Sequence, residues 1–179
     1  MILADIVVGL MTLFVAALTF TLVLHLFLLK IPFVPTPRRI AEQMAQLAEL
    51  HGGETVVDLG AGDGILLIAA KRLCSSITAV GYEIAPTVWL WGKFRIWLSG
   101  EVVGLRLQSM FRADLRDADV VFLYLFPASM KRLEEKFDTE LKPGTRVISH
   151  AFRFPNRTPV QEVRLPWGRK EKKVFVYQW

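Results

Sequence analysis

The sequence has a single cysteine, Cys74, so no intrachain disulfide can staple the fold. That fits a reducing compartment. It has no lysine or arginine before Lys30, only Asp5, and no charge at all from Ile6 to Leu24. A cleavable secretory signal needs a basic start, a shorter apolar region and a small-residue cleavage site, and this start has none of them. Internal repeats and low-complexity tracts are also missing, and no metal site is expected. What is there is length for one ordinary domain with an appendage, 179 residues, and a net charge of +5.

The uncharged run is long enough to cross a hydrocarbon core of about 30 Å as a helix. Its basic flank, Lys30, Arg38 and Arg39, lies only on the C-terminal side. By the positive-inside rule this predicts a single-pass membrane protein whose globular domain faces the cytoplasm, or an equivalent interior compartment. Residues 1–30 therefore read as a transmembrane anchor. Residues 31–51 form a proline-rich lead-in and a first helix. Pro32, Pro35 and Pro37 keep the lead-in extended. Thr36 is placed to cap the helix, with Pro37 at its first position. Ile40, Met44, Leu47 and Leu50 recur at helical spacing. The lead-in is either a linker or a segment lying over a ligand. A second basic cluster, Arg164 to Lys173, is either a solvated face or a contact for anionic lipid, acidic protein or nucleic acid.

The rest of the chain is organised around residues 55–64. A β-branched run ends in Asp58, and Gly60, Gly62 and Gly64 alternate before an apolar, alanine-rich stretch. This predicts strand, tight turn and helix, with free N–H groups at the helix start and Asp63 as N-cap. A dinucleotide fingerprint places its third glycine three residues after the second, and that spacing is missing here. Asp58-x-Gly60-x-Gly62-x-Gly64 instead resembles motif I of class I methyltransferases, which bind S-adenosylmethionine. A carboxylate at the strand end suits that cofactor's positive charge. Glu83 closes the next apolar run, where a ribose-binding acid is expected.

Strand and helix signals then alternate, as in a parallel-rich sheet covered on both faces. Strands are expected at 77–83, 104–109, 118–126 and 146–152. Helices are expected from Pro86 to about Leu98 and from Met130 to Leu141. The runs near 160–165 and 173–179 predict an antiparallel edge hairpin around Trp167-Gly168. The helix after Pro86 carries Trp89, Trp91, Phe94 and Trp97, which pack on the sheet or the membrane side, or touch a ligand.

These stretches resemble the membrane-anchored seven-β-strand protein lysine methyltransferases, a family related to the mitochondrial enzyme that methylates the c subunit of ATP synthase. The likeness begins with the anchor and Pro32-Phe33-Val34-Pro35-Thr36. It runs through Val57 to Gly64, Gly81-Tyr82-Glu83, Pro86, Arg95 and Trp97, to Phe152-Arg153-Phe154-Pro155. Ile65, Ala85 and Met110 depart from the family pattern. The resemblance implies an α/β, Rossmann-like class I methyltransferase sheet with helices on both faces, preceded by one transmembrane helix. Residues 52–179 would be the methyltransferase domain, with S-adenosylmethionine held by Pro35, Thr36, Asp58, Gly60, Ala61, Gly62, Asp63, Gly64, Glu83 and Met110.

The family's acid near the adenine amine is absent, unless Asp114 serves. The fourth strand lacks the Asn or Asp with which methyltransferases of nucleic-acid amines hold their acceptor. Tyr124, Phe126 and Pro127 either line a channel for an aliphatic amine or fill the core. The expected partners are the bilayer and a membrane-associated protein carrying lysine, with no nucleic acid. The alternatives are a lipid, quinone or other small membrane acceptor, or a non-catalytic module that binds the cofactor.

Overall fold

A computed structural model of the chain describes residues 2–29, 33–167 and 170–179. Lys30 of the expected basic flank, and Ile31 and Pro32 of the lead-in expected to be extended, lie outside the described residues. So do Gly168 and Arg169 of the C-terminal loop and basic cluster. The chain divides into two units, Met1–Val34 and Pro35–Trp179.

The first unit is helix α1 (Ile2–Leu29). At about 1.5 Å per residue it is about 42 Å long. Ala4–Val23 is apolar and long enough to cross a membrane, and none of it is buried within the chain. Its threonines leave little polar surface. Thr12, Thr19 and Thr21 donate their hydroxyls to the carbonyls of Val8, Val15 and Ala17 at 2.7–2.9 Å. Hydroxyls bonded this way do not present unsatisfied donors to hydrocarbon.

The second unit is built as α2 (Arg38–Leu47), β1 (Thr55–Leu59), α3 (Ile65–Leu73), β2 (Thr78–Glu83), α4 (Pro86–Ser99), β3 (Gly104–Leu107), a 3₁₀ turn (Met110–Arg112), β4 (Val120–Leu123), α5 (Pro127–Glu140), β5 (Arg146–His150), β6 (Gln161–Trp167) and β7 (Lys170–Gln178). The sheet order is β3-β2-β1-β4-β5-β7-β6. The first five strands are parallel, and β7 enters antiparallel between β5 and β6.

The alternation of strand side chains makes two cores. Val56, Val120, Phe122, Val174 and Val176 pack on one face under α2, α3 and α4. Val57, Leu59, Val121, Leu123, Phe175 and Tyr177 pack on the other, under Met130, Leu133 and Phe137 of α5. The sheet is thus buried on both sides, as the continuous apolar run of β4 requires.

Several local expectations change: α5 begins at Pro127 and not Met130, β3 ends at Leu107, and β5 ends at His150. β4 ends at Leu123, not at residue 126, because Pro127 is the first residue of α5 and Phe126 its N-cap. Helix α2 has Pro37 at its N-cap and no side-chain capping bond, so Thr36 does not cap it. Helix α3 has Gly64 as N-cap, in the left-handed region, and Asp63 instead reaches one residue past it to accept from the Ile65 N–H at 3.3 Å.

Candidate active site

The turn after β1 lies at the carboxyl edge of the sheet, beside the end of β2. Gly60 and Gly64 have φ of 77° and 76°. The positive φ favours glycine at position 60, where a Cβ would also press on the tip of Leu125 at 2.7 Å from Cδ2. The Gly60 and Ala61 N–H groups both donate to the Tyr82 carbonyl at 2.9 Å, and Gly64 N–H to the Ala61 carbonyl at 2.8 Å. Gly62 N–H donates to Glu83 Oε2 at 3.0 Å. Four N–H groups of the turn are therefore used within it, and Ile65 N–H is taken by Asp63, while those of Asp63, Leu66 and Leu67 meet no acceptor among the described residues.

The charge of the turn is acidic. Asp58 is 1% exposed, and its Oδ2 has no hydrogen-bond partner. Burial first, and then the charges of Asp63 and Glu83, push its carboxyl well above the usual range. Asp63 is paired with Arg95 of α4, which leaves Asp58 and Glu83 as the uncompensated pair. Glu83 accepts from Gly62 N–H and, at 2.8 Å through Oε1, from Ala85 N–H. Each of its oxygens keeps a second lone pair. A cationic group fits the orphaned oxygen of Asp58, and hydroxyl donors fit Glu83. These are the amino acid and ribose parts of S-adenosylmethionine.

Of the other expected cofactor residues, Met110 opens the 3₁₀ turn after β3 and packs on the second core. That turn is tied to the acid end of β2 by Gln108 N–H on the Glu83 carbonyl, 2.9 Å. Pro35 is exposed and Thr36 half-buried ahead of α2. Among the described residues no hydrogen bond joins either to the glycine turn. Asp114 faces solvent, forked by Arg116 at 2.5 and 2.9 Å.

Tyr124, Phe126 and Pro127 follow β4 at the same edge. The Tyr124 ring lies 4.1 Å from that of His150, and Phe126 lies 6.3 Å from Phe152. Sequence reasoning missed His150. It closes β5 as one more residue of an apolar strand, yet it is fully buried with both ring nitrogens unpartnered. Burial, and then the charge of Lys172, lower its pKa to about 4, so the imidazole is neutral.

The next residue, Ala151, has φ of 71°, uncommon for alanine. It is held by its N–H on the Lys173 carbonyl (2.8 Å), while Ser149 Oγ donates to the Phe152 carbonyl (2.7 Å). Glu134, buried in α5, accepts from Asn156 N–H at 3.2 Å and from its side chain at 3.1 Å. The Phe-Arg-Phe-Pro stretch thus seats this edge, with Phe154 N–H donating to the Tyr177 hydroxyl at 3.2 Å.

This strand order, with an acid-flanked glycine turn after β1 and a second acid closing β2, defines a class I methyltransferase that uses S-adenosylmethionine. Residues 58–161 match the family described as the ANTKMT methyltransferase domain. The chain is 31% identical to a protein-lysine N-methyltransferase of Saccharolobus islandicus, over 82% of this chain and 92% of that one. It is 32% identical to the Rattus norvegicus lysine N-methyltransferase named for the c subunit of ATP synthase, over 72% of this chain and 59% of the rat protein. Among solved structures, an RNA methyltransferase from Salinibacter ruber in complex with S-adenosyl-L-homocysteine is 33% identical, with a TM-score of 0.75, over 81% of this chain and 93% of that one. The chain belongs to the ANTKMT methyltransferase domain family.

Proposed function

We propose that the protein is a membrane-tethered methyltransferase that modifies lysine on a protein held at the same bilayer, its catalytic domain on the cytoplasmic or equivalent interior side. The observation that carries the acceptor class is the edge formed by Tyr124, His150, Phe126 and Phe152 next to the glycine turn. A lysine must lose its proton before its nitrogen can attack. A wall of aromatic rings and a neutral imidazole disfavours the ammonium and lowers the amine's pKa. The aromatic faces also tolerate the cation on arrival. Bound at the turn, S-adenosylmethionine supplies an electrophilic methyl group on its sulfonium. The chain's own work is to hold the donor with Asp58 and Glu83 and to align the amine, which is chiefly positioning. No carboxylate is needed as a base at the acceptor edge.

Two further features support this reading. Relatives at about the same identity are named as lysine N-methyltransferases, one of proteins in general and one of the c subunit of ATP synthase. Helix α1 supplies a tether, which raises the local concentration of substrates in the same membrane. The test incubates the full chain in membranes with methyl-labelled S-adenosylmethionine, followed by mass spectrometry of membrane proteins. The expected result is label on lysine, with mass shifts of methyl size. Label confined to RNA, or to material extracted by organic solvent, overturns the lysine assignment.

A further inference from the structure

Helix α4 is apolar on the side turned away from the sheet. Val88, Gly92 and Ile96 face the core, at the i, i+4, i+8 spacing of one helix stripe. On the outer side stand Leu90, Trp91, Phe94, Trp97 and Leu98, with Val102 just beyond the helix. Trp97 is 73% exposed and Val102 82%. The rings of Trp91, Phe94 and Trp97 form a ladder, with centroids 5.7 and 6.0 Å apart.

Helices α2 and α5 differ. The outer side of α2 carries Arg38, Arg39, Glu42 and Gln43, and that of α5 carries Lys131, Arg132, Glu135 and Asp138. Surface helices are ordinarily polar on the solvent side, and a helix apolar all round needs cover on both. A contiguous patch of this kind marks an interaction site.

We propose that the outer face of α4 lies in the interfacial layer of a lipid bilayer containing anionic headgroups. Three observations choose lipid as the occupant. The exposed residues are Trp, Phe and Leu, the types found on the buried face of interfacial helices. Helix α4 contains no acidic residue, and while Arg95 is taken up by Asp63, Lys93 is exposed beside the ladder. Its charge is thus complementary to anionic lipid. The same chain carries a helix long and apolar enough to span a bilayer. The contact holds the glycine turn near the membrane surface, because Gly92 of α4 packs directly against it: a Cβ there would lie 2.7 Å from the Gly62 carbonyl oxygen. A lysine just outside the bilayer would then be the one within reach.

The inference shares its membrane setting with the proposed function, and the test separates the two. The full chain, with Cys74→Ser, is reconstituted at one copy per nanodisc of phosphatidylcholine and phosphatidylglycerol. A nitroxide is attached in turn at Phe14→Cys, Phe94→Cys, Trp97→Cys and Glu135→Cys. Accessibility to oxygen, which concentrates in lipid, and to a water-soluble nickel chelate is measured for each label. The expected shift is towards oxygen and away from nickel at residues 94 and 97, relative to residue 135. Nickel access at 94 and 97 equal to that at 135 overturns the proposal, while a lipid-buried label at 14 leaves the tether intact. Labels shielded from both reagents mean cover by protein, and also overturn it. Lipid-like labels at 94 and 97 with an aqueous label at 14 uphold the α4 contact and remove the tether.

Discussion

Asp58 and His150 are both buried without partners for part of their polar surface, and they make opposite use of it. The Asp58 carboxyl holds its proton to a higher pH than it would in the unfolded chain. That favours the fold at low pH, and the contribution is lost as pH rises, when a lone carboxylate is left buried. Asp58→Asn should therefore raise the melting temperature of the free protein by a few degrees, at about 2–4 °C per kcal/mol. The same change should weaken S-adenosylmethionine binding by about 1.5–3 kcal/mol, which is roughly tenfold to a hundredfold. Calorimetric titration and thermal melts on the two proteins check both signs. For His150 the folded pKa, about 4, lies below the unfolded value of about 6.5. The unfolded chain takes the proton first. Stability present above pH 6.5 should be lost as pH falls towards 4, by about 3 kcal/mol in all. Urea unfolding from pH 7 to 4 should show this loss in the wild type and a flatter profile in His150→Phe.

Between elements, α4 fixes the glycine turn by close approach. Gly92 passes within reach of Gly62, Arg95 pairs with Asp63, and Trp89 Nε1 donates to the Leu105 carbonyl of β3 at 3.0 Å. A methyl at position 92 meets both the Gly62 oxygen and Leu105 Cδ2 at 2.7 Å. Backbone cannot yield there as a side-chain tip can, so Gly92→Ala should cost about 1–3 kcal/mol of stability. It should also lower cofactor affinity, since it displaces the turn itself. Gly100→Ala tests the same helix where a Cβ meets nothing, though its φ of 73° also disfavours alanine. That variant should lose stability by about 1 kcal/mol and leave affinity unchanged. Equal affinity losses in the two variants would show that the helix as a whole, not the contact at 92, positions the turn.

At the scale of the whole molecule the hydrophobic core lies within Pro35–Trp179, and the described side chains of α1 are exposed. Deleting residues 1–34 should release the protein from membranes on alkaline extraction. Methylation of a soluble lysine peptide should persist, while methylation of a membrane protein should fall about a hundredfold as the tethered concentration is lost. Labelled assays on the two substrates measure the ratio. The sequence alone determined the strand–turn–helix around Asp58, the second acid at Glu83, the anchor-length run and the alternation of elements. Each of these is a local pattern, set by backbone chemistry and by periodicity over a few residues. Only the tertiary structure decided what those patterns face. It bonded four N–H groups of the turn internally, turned Asp114 to solvent, and set His150 against Tyr124 by pairing β4 with β5. It also left the aromatic side of α4 exposed among the described residues of its unit. The reason is physical: burial and charge environment depend on neighbours distant in sequence, so an apolar helix or a strand-end histidine reads the same until the sheet brings its neighbours beside it.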